Sequence, residues 1–164
     1  MATVHESVTI GIPRADLHAY LSDAANLSEF CDHFLSDWHL TREDSVGRGA
    51  GVRFRLRRAT ARFAWADLTY TDVEPPYRIV AQGRGGKNQR LSIWCEVALH
   101  TSSERLTRVE VTLDVDSDSP FGRMTLGFGT TGWLKRKVRR ALRRLRGILE
   151  ENEDRGKRLT LAGG

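Results

Sequence analysis

Few side chains in this chain of 164 residues stand where they could do chemistry. Tyr70 is the best placed. It sits in a long strand-like stretch with Asp67 and Thr69 nearby, and it is the one hydroxyl expected inside the fold. His33 is a second candidate for proton transfer. Against both stands the ordinary reading: a packed tyrosine with its hydroxyl at the rim, and a histidine at a helix end. Cys31-Asp32-His33 is too local for a metal site or a Cys–His catalytic pair. The histidines His5, His18, His33, His39 and His100 lack zinc-like spacing. Gly83-Arg84-Gly85-Gly86-Lys87-Asn88 lacks the spacing and the following Ser/Thr of a phosphate-binding loop, so it reads as a hairpin turn. No Gly-x-Ser-x-Gly element occurs. The residues point to no metal and no cofactor.

Charge is distributed unevenly. Residues 120–164 hold 12 Lys/Arg against 4 Asp/Glu, whereas residues 1–119 hold 14 against 17, so the overall +5 belongs to the C-terminal part. An anionic surface could bind there through Arg139, Arg140, Arg143 and Arg144; the plainer reading is a solvated helix face. No specific nucleic acid is expected, and the protein is read as a monomer or homodimer. With 40% hydrophobic and 29% charged residues the chain can build a core and is not disordered. No apolar run is long enough to cross a bilayer and no signal-peptide pattern opens the chain, so a cytoplasmic location is expected. The two cysteines, Cys31 and Cys95, fit a reducing compartment.

The elements that must position these residues follow from periodicity. Thr3–Ile12 alternates as a strand, with Val4, Val8, Ile10 and Ile12 on one side and Glu6 interrupting that side. Pro13 opens a short helix, and Asp23 can cap a second one running to about His33. From Leu35 the pattern is of strands. Trp38 and Leu40 share a side, and Phe54 and Leu56 alternate with Arg53 and Arg55. Leu91, Ile93, Cys95, Val97 and Leu99 share another face, as do Val109, Val111, Leu113 and Val115. The stretch 61–73 has apolar residues on both sides, so its inward face stays open; a bulge would let both contribute. Trp65 and Trp94 fit a pocket wall or an outer face equally. From Pro120 to about Asn152 the chain reads as one long helix. Leu134, Val138, Ala141, Leu142, Leu145, Ile148 and Leu149 form its apolar stripe. Only that helix is large enough to cover the strands.

This order resembles the helix-grip superfamily (SRPBCC) that includes START lipid-transfer domains, birch-pollen-allergen-like proteins and bacterial polyketide cyclases. The opening Val4-His5-Glu6-Ser7-Val8-Thr9-Ile10 with Pro13, then Leu21-Ser22-Asp23 and Phe30, looks like the family's first strand and helix pair. Gly47-Arg48-Gly49 looks like its corner before the third strand, and Val73-Glu74-Pro75-Pro76 with Ile79 like a later turn. Pro120-Phe121-Gly122 and Leu142–Glu150 look like the two ends of its last helix. The resemblance implies an α+β helix-grip fold over residues 1–153 followed by a polar tail, 154–164. The expected architecture is a curved antiparallel sheet of about seven strands, two short helices after the first strand, and the long C-terminal helix across the sheet.

The same resemblance implies a cavity between sheet and helix for a hydrophobic molecule such as a lipid, isoprenoid or polyketide. The wall is expected to hold Phe54, Leu56, Ile93, Val111 and Leu113, which alternation places on shared faces, together with Leu68 and Tyr70, and Met124 with Phe128, four residues apart, from the start of the helix. Gly127, Gly129 and Gly132 either free volume there or mark an irregular helix start. Two functions follow: a carrier or sensor, and alternatively a polyketide cyclase, aromatase or dehydratase. Family members that cyclise polyketides typically carry a tyrosine near the end of the second short helix and an arginine on the long fourth strand. Here the first position reads Phe34, and no arginine lies between Phe63 and Tyr77. Both departures favour the carrier, with Tyr70 as the substitute if there is catalysis.

Overall fold

Alternating apolar and polar side chains become one antiparallel sheet in the computed structural model, which describes residues 1–57, 65–127, 129–151 and 156. The strands are β1 (Ala2–Ile10), β2 (Leu35–Leu40), β3 (Gly51–Leu56), β4 (Trp65–Glu74), β5 (Arg78–Gly85), β6 (Leu91–Ser103) and β7 (Leu106–Ser117). Their order in the sheet is β1-β7-β6-β5-β4-β3-β2. Strands β1 and β2, consecutive in the chain, therefore lie at opposite edges. Helix α1 (Arg14–Ser22), one 3-10 turn (Ala24–Asn26) and helix α2 (Leu27–Cys31) make the crossing between them. The carboxylate of Asp23 accepts the Ala25 N–H at 3.0 Å, which caps this second helical segment.

The apolar rows continue from strand to strand. Tyr70 faces Ala81, Ala81 faces Cys95, and Cys95 faces Leu113. Polar side chains occupy the opposite face, where Arg53 donates to Asp67 at 2.6 and 3.0 Å. The question left open for the fourth strand resolves at a register shift between Tyr70 and Asp72. Before it, Ala66, Leu68 and Tyr70 point inward; after it, Val73 packs on the core. Residues 58–64, including Phe63 and Ala64, lie outside the described residues.

The C-terminal helix is not continuous. It consists of α3 (Pro120–Gly127) and α4 (Thr130–Glu150). Gly129 separates them with φ 72, a left-handed conformation that glycine adopts without steric cost. Among the described residues nothing comes within 4 Å of a side chain placed at Gly129 or at Gly132, so these glycines do not make room for a close approach. The reading of an irregular helix start holds, and the single helix from Pro120 does not. Conversely, Gly83 and Gly85, expected in a turn, are part of β5. A side chain on Gly83 would meet the Asp67 carbonyl at 2.0 Å and one on Gly85 the Ala66 methyl at 2.8 Å, so the strands themselves demand glycine there.

Helix α4 lies across the concave face. Leu134, Val138, Ala141, Leu142, Leu145 and Ile148 are buried. Glu6, on the inner side of β1 opposite Val111, accepts two hydrogen bonds from Arg139, at 3.0 and 2.9 Å, and ties the helix to the sheet edge. Beyond the helix, Gly156 donates its N–H to the Glu29 carbonyl at 3.0 Å, so the chain there lies against α2. No helix among the described residues is long and apolar enough to cross a membrane. Leu145 is 1% exposed. Leu145→Asp should lower stability by about 3–5 kcal/mol because an unpaired carboxylate replaces a fully buried side chain. Arg143→Gln on the exposed face should stay within about 0.5 kcal/mol of wild type. Urea denaturation checks both; an unchanged midpoint for Leu145→Asp contradicts the placement of the stripe.

Candidate functional site

The concave face and α4 do not close completely on each other. Between them lies an apolar cavity of about 200 Å³. Each element contributes the side chains that its periodicity aims inward. Leu21, Leu27, Phe30, Cys31 and Phe34 come from α1, α2 and the turn after it. The sheet contributes Leu35 and Trp38 (β2), Phe54 and Leu56 (β3), Leu68 and Tyr70 (β4), and Ile79 and Ala81 (β5). It adds Ile93, Cys95 and Val97 (β6) and Val109, Val111, Leu113 and Val115 (β7). Helix α4 closes the space with Leu134, Val138, Ala141, Leu142 and Leu145. No charged side chain, histidine, serine or threonine is part of this wall among the described residues.

Phe54, Leu56, Leu68, Tyr70, Ile93, Val111 and Leu113 are thus brought together around one space. Met124 is not. It is 55% exposed on α3, because Leu126 takes the buried side of that short helix. Two residues apart means roughly 200° around the axis, which sends Met124 to the opposite side. Phe128 lies outside the described residues. Trp65 is exposed, and neither it nor Trp94 lines the cavity. The sequence reading missed Phe30, Phe34, Trp38, the two cysteines and the α4 stripe as wall residues. The stripe was legible as core, but that it walls a space was not, and Trp38 reaches the wall through a register shift in β2 that periodicity does not show.

Chemically the wall is quiet. The Tyr70 hydroxyl is buried and donates to the Leu21 carbonyl at 2.9 Å, so its proton is engaged in tying β4 to α1. Burial holds the phenol far above its ordinary range, with the nearby Cys95 thiol adding to the effect. Burial likewise pushes the Cys95 thiol up to about 12, and the Cys31 thiol further. All three stay protonated near neutrality and supply no base or nucleophile. His33 sits off the wall: its Nε2–H donates to the Lys137 carbonyl at 3.2 Å, its Nδ1 is buried with no partner among the described residues, and burial lowers its pKa. His18 is buried in α1 with its Nδ1 3.1 Å from the Ser22 hydroxyl, also away from the cavity. The four arginines considered for an anionic surface divide. Arg139 is held by Glu6, and Arg144 by Asp32 and the Glu29 carbonyl. Arg140 and Arg143 are exposed without an ion pair among the described residues. No group of three or more His, Cys, Asp or Glu among the described residues could hold a metal ion.

A curled seven-stranded sheet gripping a long helix over an apolar cavity defines a helix-grip protein. The sequence matches the polyketide cyclase / dehydrase and lipid transport family over residues 1–150, and the chain belongs to that family and to the SRPBCC superfamily. No curated protein matches it. Similar solved structures include TTHA0849 from Thermus thermophilus, with TM-score 0.68 at 14% identity, covering 93% of this chain and 99% of that one. Ara h 8.0201 aligns with TM-score 0.63 at 16% identity, covering 92% and 98%. Norcoclaurine synthase from Thalictrum flavum, in complex with dopamine and hydroxybenzaldehyde, aligns with TM-score 0.64 at 12% identity, covering 87% and 84%. At these identities the likeness is one of fold.

The buried thiols and phenol make a pH prediction. Their folded pKa values lie above those of the unfolded chain, where a free thiol titrates near 9.0. Above pH 9 the unfolded state loses protons that the folded state keeps. Stability is therefore fully present below that pH and is lost as pH rises toward 12, by up to ~1.4 kcal/mol per pH unit for each group. Urea midpoints measured under reducing conditions from pH 8 to 11 should fall, and fall less steeply in Cys31→Ala/Cys95→Ala. Equal slopes would mean that the thiols are not buried.

Proposed function

We propose that the protein binds an uncharged hydrophobic small molecule, such as an isoprenoid, a lipid fragment or a polyketide-like ring system, in the space between sheet and α4, as a carrier or sensor. The observation that carries this reading is the cavity itself: about 200 Å³ walled by apolar side chains. A close-packed core leaves few voids larger than a water molecule, and filling such a void recovers lost dispersion contacts. A dry cavity of about 150 Å³ already accepts benzene, so this one suits a molecule of about ten heavy atoms, the small end of the ligand range.

The alternative, catalysis on a polyketide in the same cavity, has a fold precedent in an enzyme, norcoclaurine synthase. Acid–base catalysis needs a group whose pKa lies near the working pH and whose proton is free to move. The Tyr70 hydroxyl, engaged with Leu21 and pushed upward by burial, is poorly suited, and Phe34 presents no hydroxyl. These features favour binding over turnover.

Native mass spectrometry of protein purified from its own host should reveal a retained small molecule. Ala141→Phe, which adds a ring on the α4 side of the cavity, should displace that ligand and a fluorescent reporter of two-ring size such as 1-aminonaphthalene with little loss of stability. Unchanged reporter binding in Ala141→Phe would place the ligand elsewhere. Tyr70→Phe should change binding by no more than about fivefold, the net worth of one hydrogen bond. Turnover of a polyketide chain abolished by Tyr70→Phe would establish the cyclase instead. On the outer face, Arg140 and Arg143 remain open to an anionic surface. Binding to phosphatidylserine vesicles at low salt that is lost at about 0.5 M salt and in Arg140→Gln/Arg143→Gln is the expected result if that face docks. Its absence at low salt means the face is only solvated.

A further inference from the structure

The outer face of the sheet, which the apolar cavity does not use, carries a second concave site. His39, Arg53, Asp67 and Arg84 are register partners in one row across β2, β3, β4 and β5. Trp65 stands two residues before Asp67 on the same face of β4. It is 42% exposed, and its ring lies 6.2 Å from that of His39, tilted by 30°. With Gln89 and the residues Gly85 and Gly86, these side chains line an open groove of about 610 Å³. Every polar group named here is within reach of a ligand, since the Arg53 and Asp67 side chains are 55% and 34% exposed and His39, Arg84 and Gln89 are exposed. A single exposed tryptophan is ordinary. An aromatic face beside a fixed Arg–carboxylate pair in a groove is a more particular arrangement.

The pair has bonding capacity to spare. Arg53 donates through Nε and Nη2 to the two oxygens of Asp67, which fixes both planar groups. A guanidinium has five N–H donors and a carboxylate about four acceptor sites, so donors and acceptors remain side by side along the outer edge. A hydroxyl is both donor and acceptor, and two adjacent hydroxyls match that edge. An ionic ligand is served less well, because each arginine of the groove already faces a carboxylate, Arg53 with Asp67 and Arg84 with Asp118. Trp65 and Asp67 are about 7 Å apart along the strand, at roughly 3.3 Å per residue. That span suits one six-membered ring, its apolar C–H face on the indole and its hydroxyl edge on the Arg53–Asp67 pair.

We propose that this groove binds an uncharged sugar ring, a pyranoside, with Trp65 as the platform and Arg53 and Asp67 as the partners of two neighbouring hydroxyls. The site is separate from the cavity under α4 and does not depend on the binding reading above.

The test titrates the methyl pyranosides of glucose, galactose, mannose and N-acetylglucosamine into wild-type protein, up to about 100 mM, since a single ring on an open groove binds in the millimolar range. The Trp65 indole N–H resonance, assigned by its loss in Trp65→Phe, is followed by NMR. At least one pyranoside should shift it saturably, and tetrahydropyran, the same ring without hydroxyls, should not. Trp65→Ala and Asp67→Asn should each weaken that pyranoside at least tenfold while keeping the wild-type urea midpoint, as substitutions of exposed side chains do. No shift with any pyranoside overturns the proposal, and that result needs no variant. A shift with adenosine alone overturns it in favour of a base-stacking surface. Pyranoside binding that persists in both folded variants, or that displaces 1-aminonaphthalene from wild type, places the sugar elsewhere and overturns it as well.

Discussion

Burial of the α4 stripe against the concave face of the sheet is the contact on which the other features depend. An antiparallel sheet that is apolar on one face needs a cover, and the inner face here extends across all seven strands. Two short helices bridge its edges but are too small to cover it. The 21 residues of α4 span about 30 Å, enough to cross the sheet. The stripe holds Leu and Val at steps of three and four, so the helix buries one side along its length and leaves the opposite side to solvent. Glu6 fixes the cover at the edge. A carboxylate on the inner side of β1 would be costly if unpaired, and the Arg139 guanidinium answers it with two hydrogen bonds.

The cavity follows from where the small side chains fall. Ala81 and Cys95 are register neighbours near the middle of the sheet, and Ala141 interrupts the larger residues of the stripe. Bulky residues surround them: Phe30, Phe34 and Phe54 on one side, Leu134 and Leu145 on the helix. The large side chains keep the layers apart and the small ones do not fill the gap. Position and volume are therefore properties of particular residues and not of the fold alone, since any of the three small positions could close the space if enlarged.

Much of this was legible in the sequence because it is local. Two-residue alternation in β6 and β7, the three-and-four spacing of α4, and the Asp23 cap each express a short-range rule, and each appears where it was expected. The corner glycines Gly47 and Gly49 likewise carry the positive φ their position suggests. What stayed hidden depends on contacts distant in sequence. The pairing of Glu6 with Arg139 and of Asp32 with Arg144 joins residues more than 100 positions apart. Met124 was misplaced because one glycine, Gly129, divides the helix, and composition does not reveal which of three nearby glycines turns left-handed. Gly83 and Gly85 were misread for the opposite reason: a crowded strand pair demands the same residue type as a turn. Among the wall residues, those of β3, β6 and β7 yielded to alternation, Trp38 depends on the register shift in β2, and the α2 and α4 contributions required knowing which elements face each other.

The chemistry of the wall separates recognition from reaction. An apolar enclosure raises the pKa of any acid within it, and here the phenol and both thiols are driven upward together. Catalysis in such a space needs a compensating charge to bring one group back toward neutrality, and among the described residues the wall contains none. The nearest cations on α4 are turned outward or spent on Glu6 and Asp32. The enclosure thus keeps the phenol and both thiols protonated, and a counter-charge placed beside one of them is what would bring that acid back toward neutrality.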